Sequence, residues 1–384
     1  MIRRDLGTKL VELFAQFPAI AILGPRQSGK TTIAKETFPH LQYVNLEDLS
    51  IRQYAREDPK GFLESYSDGL IIDEIQNVPE MLSYLQIYID QKDKAGLYIL
   101  TGSHQILLNE KISQSLAGRI AITNLLPFSY QEIKNQKNLS GNIDEIIFNG
   151  FYPRLFKYNI KSEDFYSSYV QTYIEKDIRQ LKNVLDLGLF QKFLKLCAGR
   201  VGQLLNLSSL ANDCGVSHVT ARHWISLLEI SFIIYLLKPH HVNFNKRLVK
   251  TPKIYFYDTG VLCNLLDIRF PAQIYTHYAR GSLFENFIII EYLKNSFHAG
   301  RRPNIFFWRD KSGHEIDILL EQDNILTPIE IKSGKTINTD YFKNIKYWNK
   351  ISEKDTNSIV IYCGEEQKRQ KTRIINWQNL DTLF

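Results

Sequence analysis

The sequence predicts an α/β chain of three parts, and three observations support this prediction. From residue 1 to about 150, short apolar strands alternate with helical stretches, which favours a parallel sheet with helices on both faces. Residues 151–257 are mostly helical and end in a helix-turn-helix pattern with two strands, the layout of a winged helix. Residues 258–384 follow the order α-β-β-β-α-β.

The composition limits the classes of protein that need to be considered. The chain has 384 residues, of which 44% are hydrophobic and 23% are charged, as is typical of globular domains. Its net charge of +6 is a mild basic excess that is compatible with nucleic-acid binding. The four cysteines form no paired motif, the N-terminus lacks a signal-peptide pattern, and no apolar run reaches bilayer length. We therefore expect a cytoplasmic protein without membrane contact.

The first part contains a phosphate-binding loop between its first strand and its first long helix. The expected strands are Ala19–Leu23, Gln42–Leu46, Leu70–Ile72 and Leu97–Leu100. The loop after the first strand satisfies GxxxxGK[ST], whose backbone N–H groups cradle phosphate oxygens. Lys30 is expected to reach the β- and γ-phosphates of ATP, and the Thr31 hydroxyl to bind Mg²⁺. The predicted nucleotide-binding residues here are Gly24, Pro25, Arg26, Gln27, Ser28, Gly29, Lys30, Thr31 and Thr32.

A pair of carboxylates follows the third strand, at the edge where open α/β sheets bind ligands. Asp73 is predicted to hold Mg²⁺, and Glu74 to orient and polarise the attacking water. After the fourth strand, Thr101 or Ser103 contacts the γ-phosphate or the water, or caps the next helix. Arg119 is either a γ-phosphate sensor, a finger offered to a neighbouring subunit, or a partner in a surface salt bridge.

Six segments in this order make the chain similar to a family of prokaryotic AAA-type P-loop ATPases. They are GPRQSGKTT, YVNLED, LIIDEIQNVP, YILTGSHQ, SLAGR and LLPFSYQEI. The resemblance covers nearly the whole chain and implies a C-terminal domain related to PD-(D/E)XK nucleases. It also implies a functional Arg119, sensor positions at Thr101 and Ser103, and assembly into a homo-oligomer.

The central part carries a basic segment between its two predicted strands, Phe232–Leu237 and Ile254–Tyr257. This segment would be the wing of a winged helix, and it contains no acidic residue. Its basic residues are Lys238, Lys246, Arg247, Lys250 and Lys253. The wing could contact DNA phosphates, or the module could serve as a lid or a protein-docking unit.

The C-terminal part places carboxylates and a lysine where the PD-(D/E)XK fold has its metal site. Strand alternation puts Glu330 and Lys332 on one face, and Asp317 points away from its apolar neighbours. Asp317 and Glu330 are predicted Mg²⁺ ligands, Glu285 is an additional ligand or outer acid, and Lys332 positions or deprotonates water. The alternative is a buried polar network in a domain that no longer cleaves nucleic acid.

Two functional hypotheses follow from these patterns. In the first, an ATP-driven switch or motor acts on nucleic acid with the help of a Mg²⁺-dependent nuclease-like domain. In the second, ATP controls a regulatory protein whose other two domains bind partners without cutting DNA.

Overall fold

The structure is a computed structural model, and it describes most of the chain. The described residues are 2–103, 115–137, 139, 141–174, 186–241, 248–353, 356–369 and 371–383, without the side chains of 173–174. Two residues of the predicted basic wing, Lys246 and Arg247, lie outside the described residues.

The first part contains a five-stranded sheet in the order β2-β3-β4-β1-β5, with every neighbouring pair parallel. Side chains of β1 alternate between two apolar clusters, with Ile20 and Ile22 in one and Ala19 and Leu23 in the other. A strand buried on both faces reads as a continuous apolar run, as here. The parallel sheet is therefore confirmed, with strands β1 (Ala19–Leu23), β2 (Gln42–Asn45), β3 (Leu70–Asp73), β4 (Tyr98–Gly102) and β5 (Ile120–Asn124).

Helices cover both faces of this sheet. Leu6, Leu10 and Ile33 pack on the face of Ile20, whereas Met81 and Leu85 pack on the opposite face. Among the described residues, the helices of this region are α1 (Leu6–Phe14), α2 (Lys30–Thr37), α3 (Leu49–Glu57), α4 (Pro59–Glu64), α5 (Met81–Lys92), α6 (Tyr130–Lys134) and α7 (Ile143–Asn149). The central part begins with α8 (Pro153–Tyr158) and α9 (Ser162–Tyr169).

The central part contains the predicted pair of helices and the predicted strand pair. The helices are α10 (Leu187–Ala198), α11 (Leu207–Cys214) and α12 (His218–Ile230), and Ser217 caps α12 by accepting from the Thr220 N–H. The antiparallel strands are β6 (Ile234–Leu237) and β7 (Lys253–Phe256). Strand β6 begins later than predicted because Phe232 turns the chain at a φ of 55°.

The two described ends of the segment between β6 and β7 lie against the C-terminal sheet, which changes the interpretation of the wing. The backbone of His240 donates to Phe307, and the backbone of Val249 donates to Arg309. Both flanks of the segment thus pair with strand β8 (Ile305–Arg309), the last strand of that sheet. Lys253 is 2% exposed, so its expected contact with DNA phosphates is wrong.

The C-terminal part follows the predicted element order and adds two strands. Its six-stranded sheet has the order β12-β13-β11-β10-β9-β8 and mixes parallel with antiparallel pairs. The strands after β8 are β9 (Glu315–Gln322), β10 (Ile325–Lys332), β11 (Ser358–Tyr362), β12 (Gln367–Arg369) and β13 (Thr372–Asn376). The helices are α13 (Thr259–Leu265), α14 (Ala272–Thr276), α15 (Arg280–His298) and α16 (Lys343–Ser352). Over the described residues, no helix is long and apolar enough to span a bilayer.

Candidate functional site

The phosphate-binding loop connects the end of β1 to the start of α2, and two glycines are needed for its path. A Cβ on Gly24 would lie 2.1 Å from the Leu125 carbonyl oxygen, so only glycine fits there. Gly29 adopts a φ of 97° as the residue before α2, a conformation that favours glycine. The loop therefore directs backbone N–H groups and the helix N-terminus toward one concave site.

Lys30 and Ser28 lie inside this loop with their polar atoms buried. The Lys30 ammonium donates to the carbonyl oxygens of Gly24 at 3.0 Å and Pro25 at 2.9 Å. The Ser28 hydroxyl is buried and has no hydrogen-bond partner among the residues that the structure describes. A buried orphan hydroxyl beside an ammonium fits an anionic ligand such as a phosphate group.

Asp73 joins three neighbouring elements at the carboxyl edge of the sheet. Its carboxylate accepts from the Thr31 hydroxyl at 2.9 and 3.0 Å, from the Tyr43 hydroxyl at 2.8 Å, and from the Thr101 hydroxyl. Burial, followed by the charge of Asp73, raises the pKa of Tyr43, so the phenol keeps its proton and donates. A hydroxyl and a carboxylate in contact are a donor set that suits Mg²⁺.

Glu74 projects from a strained position directly after β3. Its φ of 55° and ψ of 49° lie in the left-handed region, which costs roughly 1–3 kcal/mol for a residue other than glycine. The Ser103 hydroxyl donates to its carboxylate at 3.2 Å, and Gln76 donates to the same oxygen. Strain of this kind is common at active sites, where it holds a side chain in a working direction.

The sequence interpretation missed three residues of this site: Tyr43, Gln76 and Arg4. The buried Arg4 guanidinium donates to the Ser28 carbonyl oxygen of the loop at 2.9 Å, to Leu126 at 2.7 Å and to Glu132 at 3.0 Å. Arg4 therefore connects the phosphate-binding loop to Leu126 and Glu132 through hydrogen bonds. Only Gln76 had a local signal, because it follows the acidic pair by two positions.

Arg119 lies at the opposite edge of the sheet from the phosphate-binding loop. Its carbonyl oxygen accepts from Ala19 at the start of β1, whereas the loop begins after Leu23. Strand β1 has five residues. At about 3.3 Å per residue, it separates the Arg119 carbonyl group from the start of the loop by roughly 16 Å. Its side chain pairs with Asp90 at 2.5 Å. A γ-phosphate sensor within the same chain does not fit this placement, and the contact with Asp90 is the surface salt bridge that the sequence left open.

A cavity of about 500 Å³ opens beside the loop and lies within the usual size range of ligand pockets. Gly29 and Thr32 form one wall, Ile2 and Phe128 add apolar surface, and Pro153 closes another side. Charged side chains also line this cavity. A cavity of mixed polarity next to a phosphate-binding loop suits a nucleoside.

A second group of charges lies in the C-terminal sheet, where β9 and β10 run side by side. The Lys332 ammonium lies 3.3 Å from the Asp317 carboxylate and 2.6 Å from the Glu330 carboxylate. Asp317 also accepts from the backbone N–H of Ile331 at 2.8 Å. Burial, followed by the nearby charge of Asp317, raises the pKa of Glu330 to about 8. The structure therefore brings together the predicted carboxylate pair and lysine.

Glu285, the predicted additional ligand or outer acid, is paired with strand β7, and its role at a metal stays a prediction. Its carboxylate accepts from the Lys253 ammonium at 3.1 Å and from the Tyr255 hydroxyl at 2.5 Å. Both contacts come from β7 and fall on the same carboxylate oxygen, Oε1. The prediction placed Glu285 on the correct helix but did not include the strand that packs against it.

A third cluster joins α1, α6 and α15 and contains side-chain types that bind metals. Within the described residues, Asp5, Glu132 and His298 form the one group of three whose potential ligand atoms lie within 4.8 Å of one another. The Glu132 carboxylate already accepts from Arg4 and from the backbone N–H groups of Asp5 and Ser129. We therefore interpret this cluster as structural support for the loop.

Because His298 is buried, we expect the protein to lose stability at acidic pH. Burial lowers the pKa of His298 from the usual 6.5 to about 4, and neither ring nitrogen has a hydrogen-bond partner in the described part of the chain. The unfolded chain therefore takes up this proton first, and the free energy of unfolding falls as pH drops from about 6.5 to about 4. The His298 share of this loss is at most about 3 kcal/mol.

Chemical unfolding at several pH values measures this loss. His298→Asn should flatten the decline in the free energy of unfolding relative to wild type, whereas the exposed His218→Asn should not. Equal pH profiles for wild type and His298→Asn would contradict the assignment.

Comparisons with known protein families divide the chain into three segments. Residues 16–134 match a family model described as an AAA domain. Residues 140–272 and 280–380 match models of two domains of unknown function, DUF8612 and DUF4143. Neither description names a nuclease, so the nuclease-like identity of the C-terminal part stays a prediction.

Similar proteins extend over most of the chain. An uncharacterised protein of Mycobacterium tuberculosis is 27% identical over 340 residues, which cover 87% of this chain and 74% of that protein. An uncharacterised protein of Methanocaldococcus jannaschii is 23% identical and covers 84% of this chain and 76% of its own length.

Among solved structures, a Walker-type ATPase of Pyrococcus abyssi matches with a TM-score of 0.50 and 13% identity. The match covers 69% of this chain and 96% of that structure, and at this identity it shows the fold alone. Residues 16–134 are therefore similar in sequence to AAA domains, and the chain shares its α/β fold with a Walker-type ATPase.

Proposed function

We propose that this chain binds ATP at the loop of residues 24–31 and hydrolyses it. The observation that carries the proposal is the contact between the Thr31 hydroxyl and the Asp73 carboxylate, next to a buried ammonium and a buried orphan hydroxyl. Thr31 and Asp73 would hold Mg²⁺, which supplies positive charge to the phosphate oxygens during transfer. The cavity beside Gly29 would take the nucleoside.

Each side chain of the site has a defined task in this proposal. Lys30 would release the loop carbonyl oxygens and neutralise phosphate charge. Tyr43 and Thr101 keep the Asp73 carboxylate directed at Thr31, so Thr101 acts through Asp73. Glu74, held by Ser103, would orient the attacking water. The direct test is phosphate release from ATP, which we expect to require Mg²⁺ and Glu74.

We also propose that Arg119 completes the site of a second copy of the chain. An exposed arginine at the far edge of the sheet can reach a nucleotide only across a subunit boundary. Arg119→Ala should therefore lower turnover by about 1,000-fold while nucleotide affinity remains, because fingers of this kind act on the transition state. Arg56→Ala, which removes another surface arginine paired with a carboxylate, should have little effect.

Mixing two inactive variants tests whether Arg119 acts across the boundary. Arg119→Ala has an intact loop, and Lys30→Ala has an intact arginine. Combining them should restore part of the wild-type turnover, since one copy supplies what the other lacks. A mixture that remains as inactive as its components would rule out the finger.

For the C-terminal part, we propose that Asp317 and Glu330 hold one divalent cation, with Lys332 beside it. The proximity of both carboxylates to one ammonium supports this, and the raised pKa of Glu330 means that a cation would have to displace a proton there. Cleavage of DNA is the activity that such a site would support.

A binding role without cleavage is the second candidate function. The contact between Glu285 and Lys253 favours a binding role, because one carboxylate predicted to bind metal already faces a cation of the chain. In that case the ATPase would control how the central and C-terminal parts hold a partner.

A further inference from the structure

Lys253 brings a buried positive charge from the central strand pair into the C-terminal sheet. Its ammonium lies 3.1 Å from the Glu285 carboxylate and also pairs with Glu315. Burial alone would lower the pKa of Lys253, but Glu285 and Glu315 raise it overall, so the ammonium stays charged. A buried ammonium is tolerated only when carboxylates of this kind surround it.

The position of this lysine is fixed by backbone pairing on both sides. Strand β7 is hydrogen-bonded to β6, and Leu248, which precedes β7, forms an isolated bridge with Asp310 directly after β8. The Gln203 carbonyl oxygen accepts from the N–H of Ile254, the residue that follows Lys253. The ammonium therefore has little freedom to leave the two carboxylates.

The two carboxylates that pair with Lys253 belong to the same group as the proposed metal ligands. Glu315 and Asp317 lie two residues apart on β9, so strand alternation places both side chains on the same face of the sheet. At its other side, Asp317 contacts Lys332, which also contacts Glu330. The result is one row of carboxylates, Glu285, Glu315, Asp317 and Glu330, that we call the carboxylate row.

The charges along the carboxylate row favour the binding of a single divalent cation. Lys253 faces Glu285 and Glu315, and Arg309 adds a second contact to Glu315 at 3.0 Å. That end of the row is therefore neutralised by the protein itself. At the other end, Lys332 is the single basic side chain paired with Asp317 and Glu330 among the described residues, which leaves one carboxyl group of that pair for a divalent cation.

We propose that Lys253 is a built-in cation that fills the Glu285 end of the carboxylate row and limits the row to one divalent ion. This rests on the proposed cation site at Asp317 and Glu330. It implies that any cleavage uses one metal ion rather than the two that clamp the attacking and leaving oxygens in many nucleases. Lys253 is thus a positioning residue, and the central strand pair supplies it.

The test is the number of Mn²⁺ ions bound per full-length chain without nucleotide, measured by electron paramagnetic resonance. Wild type should bind one more ion than Asp317→Asn. Lys253→Met should bind one more ion than wild type, because Glu285 and Glu315 lose their cation. Lys250→Met, which removes an exposed lysine three positions earlier, should match wild type. Lys253→Met with Glu285→Gln should return to the wild-type number.

The outcomes separate the two proposals. If Lys253→Met binds as many ions as wild type, the role of Lys253 is wrong, while the site at Asp317 remains. If wild type, Asp317→Asn and Lys253→Met all bind equally, both proposals fail. If Lys253→Met is too unstable for its bound ions to be counted, the melting temperature is measured with and without Mn²⁺. The inference predicts that Mn²⁺ raises the melting temperature of Lys253→Met more than that of wild type. An equal rise in both proteins would overturn it.

Discussion

Glu74→Gln should abolish ATP turnover while leaving ATP bound. Glutamine keeps the size of the side chain and its hydrogen bonds, but it cannot polarise the water as a carboxylate does. Positioned bases of this type contribute about 100-fold to 10,000-fold, so we expect a loss of at least about 100-fold. Phosphate release measures turnover, and calorimetric titration with Mg·ATP measures binding.

The matched control is Glu80→Gln, which removes a surface carboxylate at the start of α5 that pairs with Arg56. It should retain wild-type turnover. If Glu74→Gln hydrolyses ATP at the wild-type rate, another group must orient the water, and the strained backbone at Glu74 would lack a catalytic explanation. Weaker ATP binding by this variant would instead indicate a structural role.

Lys332→Ala should abolish any divalent-dependent loss of DNA. The ammonium lies between the two proposed cation ligands, so its removal takes away the group that would position water and stabilise charge at the cleaved phosphate. A loss of about 100-fold is expected for a charge of this kind. Plasmid integrity in the presence of Mg²⁺ or Mn²⁺, with EDTA as a blank, is the measurement.

Lys350→Ala serves as the control, because this exposed lysine on α16 lies outside the carboxylate row. Cleavage that persists in Lys332→Ala would point to a contaminating nuclease or to another site. An intact plasmid with the wild-type chain that consumes ATP would favour the binding role for the C-terminal part.

The loop and the acidic pair could be predicted because their chemistry depends on neighbours along the chain. The glycines of residues 24–31 and the carboxylates at 73–74 each follow an apolar strand, and a parallel sheet brings such strand ends together. Tyr43 and Arg4 had no such signal. The role of Tyr43 depends on which strand lies next to β3, and the role of Arg4 depends on where the N-terminal segment packs. The spacing of residues along the sequence indicates neither.

The errors arose where two parts of the chain meet. Lys253 belongs to a basic segment, and local charge favours contact with phosphate, but tertiary packing buries it against Glu285. The same contact pairs Glu285, which the sequence predicted as a metal ligand or outer acid, with a lysine that the sequence placed in the wing. Arg119 was ambiguous because the SLAGR segment fixes its residue type but not the edge of the sheet at which β5 begins.

Phosphate release from ATP by the wild-type chain, with Mg²⁺ or EDTA and with or without DNA, tests the central claim most directly. The account predicts steady turnover that requires Mg²⁺ and is lost in Glu74→Gln. No phosphate release under any of these conditions would contradict it, and so would turnover that continues unchanged in EDTA.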